Sequence, residues 1–98
     1  MRQKHRPLDL EGAEALAAEA LAHIATEPRI ISRFLGLTGL SVDRLRAEAD
    51  SPAILTAVLS YLLEDESLLL AFTAMTGRDP ARVREAHNLL TGERNDFA

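Results

Sequence analysis

Apolar residues recur at helical spacing through most of this chain, and short polar segments with capping residues, prolines or glycines separate them. The clearest pattern lies between Pro52 and Gly77. Its apolar pairs recur every fourth residue, at positions 54/55, 58/59 and 62/63, which is typical of a helix with a wide buried face. Asp65 then provides a suitable N-cap. We therefore predict two helices here, at 52–64 and 66–76, that form the centre of the fold.

The same reasoning divides the rest of the chain. Apolar spacing, N-cap residues, prolines at the first helical position and terminating glycines predict helices at 10–26, 28–38, 42–49 and 80–91. The pattern turns Leu10, Leu37, Val42 and Met75 inward, along with most other apolar residues. We expect an all-α fold, a compact bundle of about six short helices.

The length of the chain, 98 residues, is typical of a single domain. We assign residues 9–92 to a single helical domain, residues 1–8 to a flexible basic arm and residues 93–98 to a polar tail. The large aromatic residues Phe34 and Phe72 are expected in the core.

The two halves of the domain resemble each other. A shift of 38 residues aligns 14–50 with 52–88 without a gap, and seven positions are identical, including Phe34/Phe72. The capping positions Glu27/Asp65 and Ser41/Asp79 also align. Amphipathic helices with ordinary caps resemble one another in any case, which is the alternative explanation. We predict two pseudo-repeated three-helix units that pack face to face.

Composition narrows the function classes. The net charge of −4 argues against a dedicated nucleic-acid binder, which would carry a basic surface. The sequence has no cysteine, which excludes disulfides and thiolate catalysis. No apolar run is long enough for a membrane span, and the basic start is followed by Leu-Asp-Leu-Glu instead of an apolar signal core. We expect a cytoplasmic protein without a membrane segment.

Two stretches carry a resemblance to a known family. RFLGLTGLSVDRLR and PAILTAVLSYLLEDESLLLAF, followed by a Gly-Arg-Asp-Pro turn, resemble a bacterial family of small helical proteins that is catalogued only as a domain of unknown function. The similarity covers about residues 10–92. Because it rests on helix and turn residues, it implies a helical fold and no particular activity, ligand or site.

Few residues are candidates for chemistry. His5, His23 and His87 lack the spacing of a metal motif, and the sequence places no His–acid partner near any serine. The acidic run Glu64-Asp65-Glu66 lies at a helix junction, where neighbouring side chains point in different directions, so helix capping explains it better than acid–base catalysis. We expect no catalytic residue, no metal and no cofactor.

Two arginine pairs occupy equivalent places in the two halves: Arg44/Arg46 and Arg82/Arg84. They are candidate contacts for a phosphate or an acidic partner. Residues two apart on a helix point away from each other, however. Weak ion pairs of Arg44 with Glu48 and of Arg82 with Glu85 are the more ordinary role.

These observations favour a non-catalytic protein-interaction or regulatory module, with an unknown protein partner or a second copy of the chain. Leu40, Leu70, Leu89 and Phe97 do not fit one inward face, and leftover apolar surface suits a partner. The alternative is a helix–turn–helix-like nucleic-acid-binding protein that uses the arm and the four arginines, since short helices joined by glycine-containing turns suit that geometry. An enzyme has the least support, because a small bundle rich in alanine and leucine leaves little room for a polar pocket.

Overall fold

The structure is a computed structural model, and it describes residues 7–92. In that range the backbone forms six helices and no strand: α1 (Leu10–Ala25), α2 (Pro28–Thr38), α3 (Val42–Ala47), α4 (Pro52–Leu63), α5 (Glu66–Thr76) and α6 (Pro80–Thr91). Every bound lies within two residues of the predicted one, so the all-α prediction is confirmed. The predicted arm, with His5, and the predicted tail, with Phe97, lie almost wholly outside the described residues.

Local sequence signals explain where the helices begin. Five helices have an N-cap side chain that accepts a hydrogen bond from a backbone N–H of the first turn: Asp9, Ser41, Ser51, Asp65 and Asp79. Glu27 occupies the N-cap position of α2, as the aligned capping positions predicted, but its side chain makes no capping bond. Glutamate is one methylene longer than the preferred caps, and α2 begins instead on the fixed φ of Pro28.

The helices α2 and α5, which occupy equivalent places in the two predicted repeats, both end at a glycine. Gly39 and Gly77 follow α2 and α5 with φ of 77° and 75°, a left-handed conformation that side chains disfavour and that satisfies the last helical carbonyls. In each case the glycine N–H donates to the carbonyl four residues earlier. The chain is thereby turned sharply after both helices, as the Thr-Gly pairs predicted.

The core lies where α1, α4 and α6 pack against one another. α4 buries six side chains, and three of the five that α1 buries are alanines, Ala13, Ala17 and Ala20. Small side chains let neighbouring helices approach α1 closely. In the predicted centre at 52–76, α4 packs mainly against α1 and α6, and α5 buries four further residues.

α2 and α5 each contribute a fully buried phenylalanine, as predicted. The ring of Phe34 lies 5.3 Å from that of Tyr61, and Phe72 meets His23 edge-on at 5.5 Å between ring centroids. The hydroxyl of Tyr61 donates to the carbonyl of Ile30 at 3.1 Å. These contacts fasten α2 to α4 and α5 to α1.

Four apolar side chains that were predicted to point inward are exposed: Leu10 by 53%, Leu37 by 67%, Val42 by 48% and Met75 by 73%. All four lie in the first or last turn of a helix, where a side chain has neighbours on fewer sides. Helical spacing identifies which residues share a face of the helix. How much of that face a neighbouring helix covers depends on tertiary packing. The periodicity therefore overestimated the buried stripe at the helix ends.

The helix bounds follow the 38-residue shift, since α5 corresponds to α2 and the starts of α3 and α6 correspond. Burial does not follow it. α3 has no buried residue, whereas α6 buries Val83 and Ala86, and Leu45, which aligns with Val83, is only half-buried. Equal bounds follow from equal cap signals alone, so the duplication stays a prediction.

Candidate interaction grooves

The four arginines highlighted by the sequence lie on α3 and α6, two helices that share no extensive contact. Arg44 Nε lies 3.2 Å from Glu48 Oε2, and Arg82 Nη1 lies 2.9 Å from Glu85 Oε1. The two predicted ion pairs are thus present. Arg46 and Arg84 are exposed. A shared role of the four with an anionic partner stays a prediction.

Glu85 and Glu19 make contacts that the sequence did not reveal. The second oxygen of Glu85, Oε2, accepts from the backbone N–H of Leu8 at 2.9 Å, so the segment that precedes α1 is tied to α6. Arg78 Nε donates to Glu19 Oε1 at 2.6 Å and joins the α5–α6 turn to α1. Glu85 lies 77 residues from its partner along the chain, and Glu19 lies 59 residues from its partner. No local sequence pattern indicates pairs at such separations.

Ser60 and His87 come together although no sequence pattern predicted that they would pair. Ser60 Oγ lies 2.8 Å from His87 Nε2 between α4 and α6, and both residues are half-buried. A nucleophilic serine also needs backbone donors for an oxyanion and a carboxylate that orients the histidine. Ser60 lies inside α4, whose amides are taken by helical hydrogen bonds, and residues 7–92 supply no carboxylate bonded to the imidazole. The contact therefore links two helices.

The acidic run at the α4–α5 junction performs capping, as predicted. Asp65 Oδ1 accepts from the N–H of Leu68 at 3.1 Å, Glu66 lies in the first turn of α5 and Glu64 is the C-cap of α4. Across residues 7–92, no three side chains of the metal-binding types lie together. None of the helices described is both long and apolar enough to cross a membrane.

A groove of about 520 Å³ runs along α1 beside the turn between α3 and α4. Its floor is apolar and mostly small: Ala15, Ala18, Leu21, Ala22 and Leu55. Glu11, Glu14 and Asp50 stand along it, and none of the three has an ion-pair partner within residues 7–92. We call this feature the acidic groove.

A second groove, of about 530 Å³, lies between α2 and α5 above Tyr61. Ile30, Leu68 and Ala71 contribute apolar surface to it, and Asp65 and Ser67 line its α5 side. Its α2 side carries Arg29 and Arg33, which have no ion-pair partner in the described part of the chain. We call this feature the cationic groove.

The outer surface of α2 forms a stripe that we call the α2 ridge: Arg29, Arg33, Gly36 and Leu37. Arg29, Arg33 and Leu37 recur every fourth residue and therefore lie on one side of the helix. All four residues are exposed, and a Cβ placed on Gly36 would meet no atom within 4 Å. The ridge is thus cationic over the first two turns of α2 and apolar at the last.

The prediction of which apolar residues remain on the surface is confirmed only in part. Leu70 and Leu89 are exposed by 47% and 37%, whereas Leu40 packs against the core, and this prediction was wrong. Phe97 lies outside the described residues. The grooves themselves were missed because each combines helices that are distant in the sequence.

The chain matches the profile of a known family. The profile of the family described as "Protein of unknown function (DUF3572)" matches residues 10–93. The chain belongs to this family. The resemblance to a family of unknown function, noted in the sequence, is thereby confirmed. The description of the family gives no activity. Searches of curated proteins and of solved structures gave no match.

Proposed function

We propose that this member of the family is a non-catalytic protein-interaction module. The observation that supports this function best is the acidic groove. An open, apolar floor edged by charged side chains is the usual composition of a surface that receives a protein partner. Its floor of alanines and leucines offers shape and apolar area, while its carboxylates offer orientation.

The groove is less suited to catalysis. An active site needs a nucleophile or an acid–base pair aimed at one reacting atom, in a setting that shifts its pKa. Here Glu11 and Asp50 are exposed, and apart from Glu14 the rest of the groove lining consists of alanines and leucines. The Ser60–His87 contact, which lies elsewhere, lacks the donors that acyl transfer requires.

Substitution of exposed alanines in the grooves tests the proposal without disturbing the core. Ala18 lies in the acidic groove and Ala71 in the cationic groove, and both are exposed. We expect Ala18→Glu or Ala71→Glu to abolish capture of specific partners by the tagged chain from a lysate of its source cells, measured by quantitative mass spectrometry. Ala74→Glu, on exposed surface outside the grooves, is the matched control and should leave capture unchanged.

Two results would contradict the proposal. The first is a chain that captures no protein above bare resin and stays monomeric by light scattering up to about 1 mM, where association of about −4 kcal/mol is detectable. The second is tight binding to duplex DNA or RNA that falls steeply with salt, which would favour the nucleic-acid-binding alternative instead.

A further inference from the structure

We propose that the acidic groove receives the α2 ridge of a second copy of this chain, so that copies associate head to tail. This inference rests on the proposed function and specifies its partner. It follows from the match in charge and apolar character between two surfaces on the same molecule that share no residue.

The charges of the two surfaces are complementary. Arg29 and Arg33 lie one turn apart on α2, and Glu11 and Glu14 lie one turn apart on α1, so both pairs have a spacing of about 5–6 Å. None of the four has an ion-pair partner within residues 7–92, whereas Arg44, Arg78 and Arg82 are all paired within that range. Arginine is also the cation best suited to an interface with carboxylates.

The apolar parts follow in the same order on both surfaces. On the α2 ridge the arginines come first and Leu37 follows eight residues after Arg29, which is about 12 Å along the helix. In the acidic groove the glutamates come first and Leu21 lies ten residues after Glu11, or about 15 Å. With α2 and α1 parallel, the arginines meet the glutamates while Leu37 reaches Leu21.

Small residues make the approach possible. The groove floor contains Ala15, Ala18 and Ala22, and the ridge contains Gly36, so two helices can come close without a side chain between them. Leu37 is one of the most exposed apolar side chains in the described range, at 67%, although its spacing predicts burial. Seating on a second copy gives this side chain the apolar surroundings that its own fold does not.

The arrangement has a consequence for assembly. Because the ridge and the groove are different surfaces, each pair of copies leaves one free ridge and one free groove, which is a heterologous contact. Association therefore continues into a ring or an open chain. A symmetric dimer that stops at two copies is not expected from this contact.

Charge reversal tests the contact with purified protein, followed by analytical ultracentrifugation up to about 1 mM. The wild-type chain should show a mass that grows with concentration and falls with added salt. Arg29→Glu/Arg33→Glu and Glu11→Lys/Glu14→Lys should each be monomeric, because each places like charges across the contact. An equimolar mixture of the two variants should associate again, since each reversed surface then meets its complement.

Two further variants separate this contact from other effects. Ala74→Glu/Asn88→Glu adds two negative charges at exposed positions outside both surfaces, changes the net charge from −4 to −6 and should associate like the wild type. Leu37→Ala changes no charge and should weaken association about tenfold through lost apolar area. Circular dichroism checks that every variant keeps its helices.

Three outcomes would overturn the inference: a wild-type chain that is monomeric throughout, association that survives both charge reversals, or a mixture that does not recover. Each of these leaves the proposed function open, because capture of a different protein is measured separately. A basic peptide that binds the acidic groove of a monomeric chain would assign the groove to a foreign partner.

Discussion

The two halves of this domain have nearly the same helix bounds and very different neighbours. In the second half, α4 and α6 pack directly against each other and against α1, whereas in the first half α3 has no buried residue and α2 fully buries only Phe34. Equal local signals have therefore produced equal helices, and tertiary contacts have distributed the burial unequally. The half that was left partly uncovered is the one that carries the α2 ridge. Four matched pairs of substitutions test how far the halves are equivalent.

The largest effects are expected where the halves agree. Phe34→Ala and Phe72→Ala each remove a ring from a fully buried site and should each lower the free energy of unfolding by about 3–5 kcal/mol. Urea denaturation followed by circular dichroism measures this. Phe→Leu at both sites is the control and should cost about 1.5 kcal/mol or less. Near-neutral alanine variants at both positions would show that the core assignment is reversed.

The next pair should separate the halves. Val83 is fully buried between α6 and its neighbours, while the aligned Leu45 on α3 is half-buried. We expect Val83→Ala to cost about 2 kcal/mol and Leu45→Ala about 1 kcal/mol, although leucine loses more atoms. The same denaturation experiment measures both. If Leu45→Ala proves the costlier change, α3 is packed as firmly as α6 and the contrast between the halves fails.

The glycine turns should behave alike. At Gly39 and Gly77 a Cβ meets no atom within 4 Å, so only the left-handed backbone opposes a side chain. Gly39→Ala and Gly77→Ala should each destabilise by about 1–2 kcal/mol. Substitution by asparagine, which tolerates the left-handed conformation better than alanine, should lower the free energy of unfolding less at both sites. A cost confined to one glycine would mean that the two turns are not equivalent.

The smallest expected difference concerns the caps. Asp65 accepts a hydrogen bond from Leu68 N–H at the start of α5, whereas Glu27 makes no such bond at the start of α2. Asp65→Ala should cost about 1 kcal/mol and Glu27→Ala close to nothing. Asp65→Asn, which keeps an accepting oxygen, should recover most of the loss. Equal losses for the two alanine variants would contradict the capping assignment.

The candidate site was far less predictable than the fold. The sequence identified Arg44 and Arg82 with their glutamates, because partners three or four residues apart on a helix can be read from spacing. It gave no indication of the acidic groove, which joins α1 to Asp50 and Leu55. The contact of Ser60 with His87 was not predicted either, because the two residues come from different helices and their approach depends on the angle at which those helices pack.

By itself, the sequence determined the six helices and their ends. Caps, prolines and left-handed glycines act within one turn, and their physical effect is the same wherever the helix comes to lie. Only the tertiary structure decided which side chains those helices cover. Leu37 and Met75 have the spacing of core residues, yet they remain exposed because no neighbouring helix extends over them, and burial is a property of the neighbours as much as of the residue.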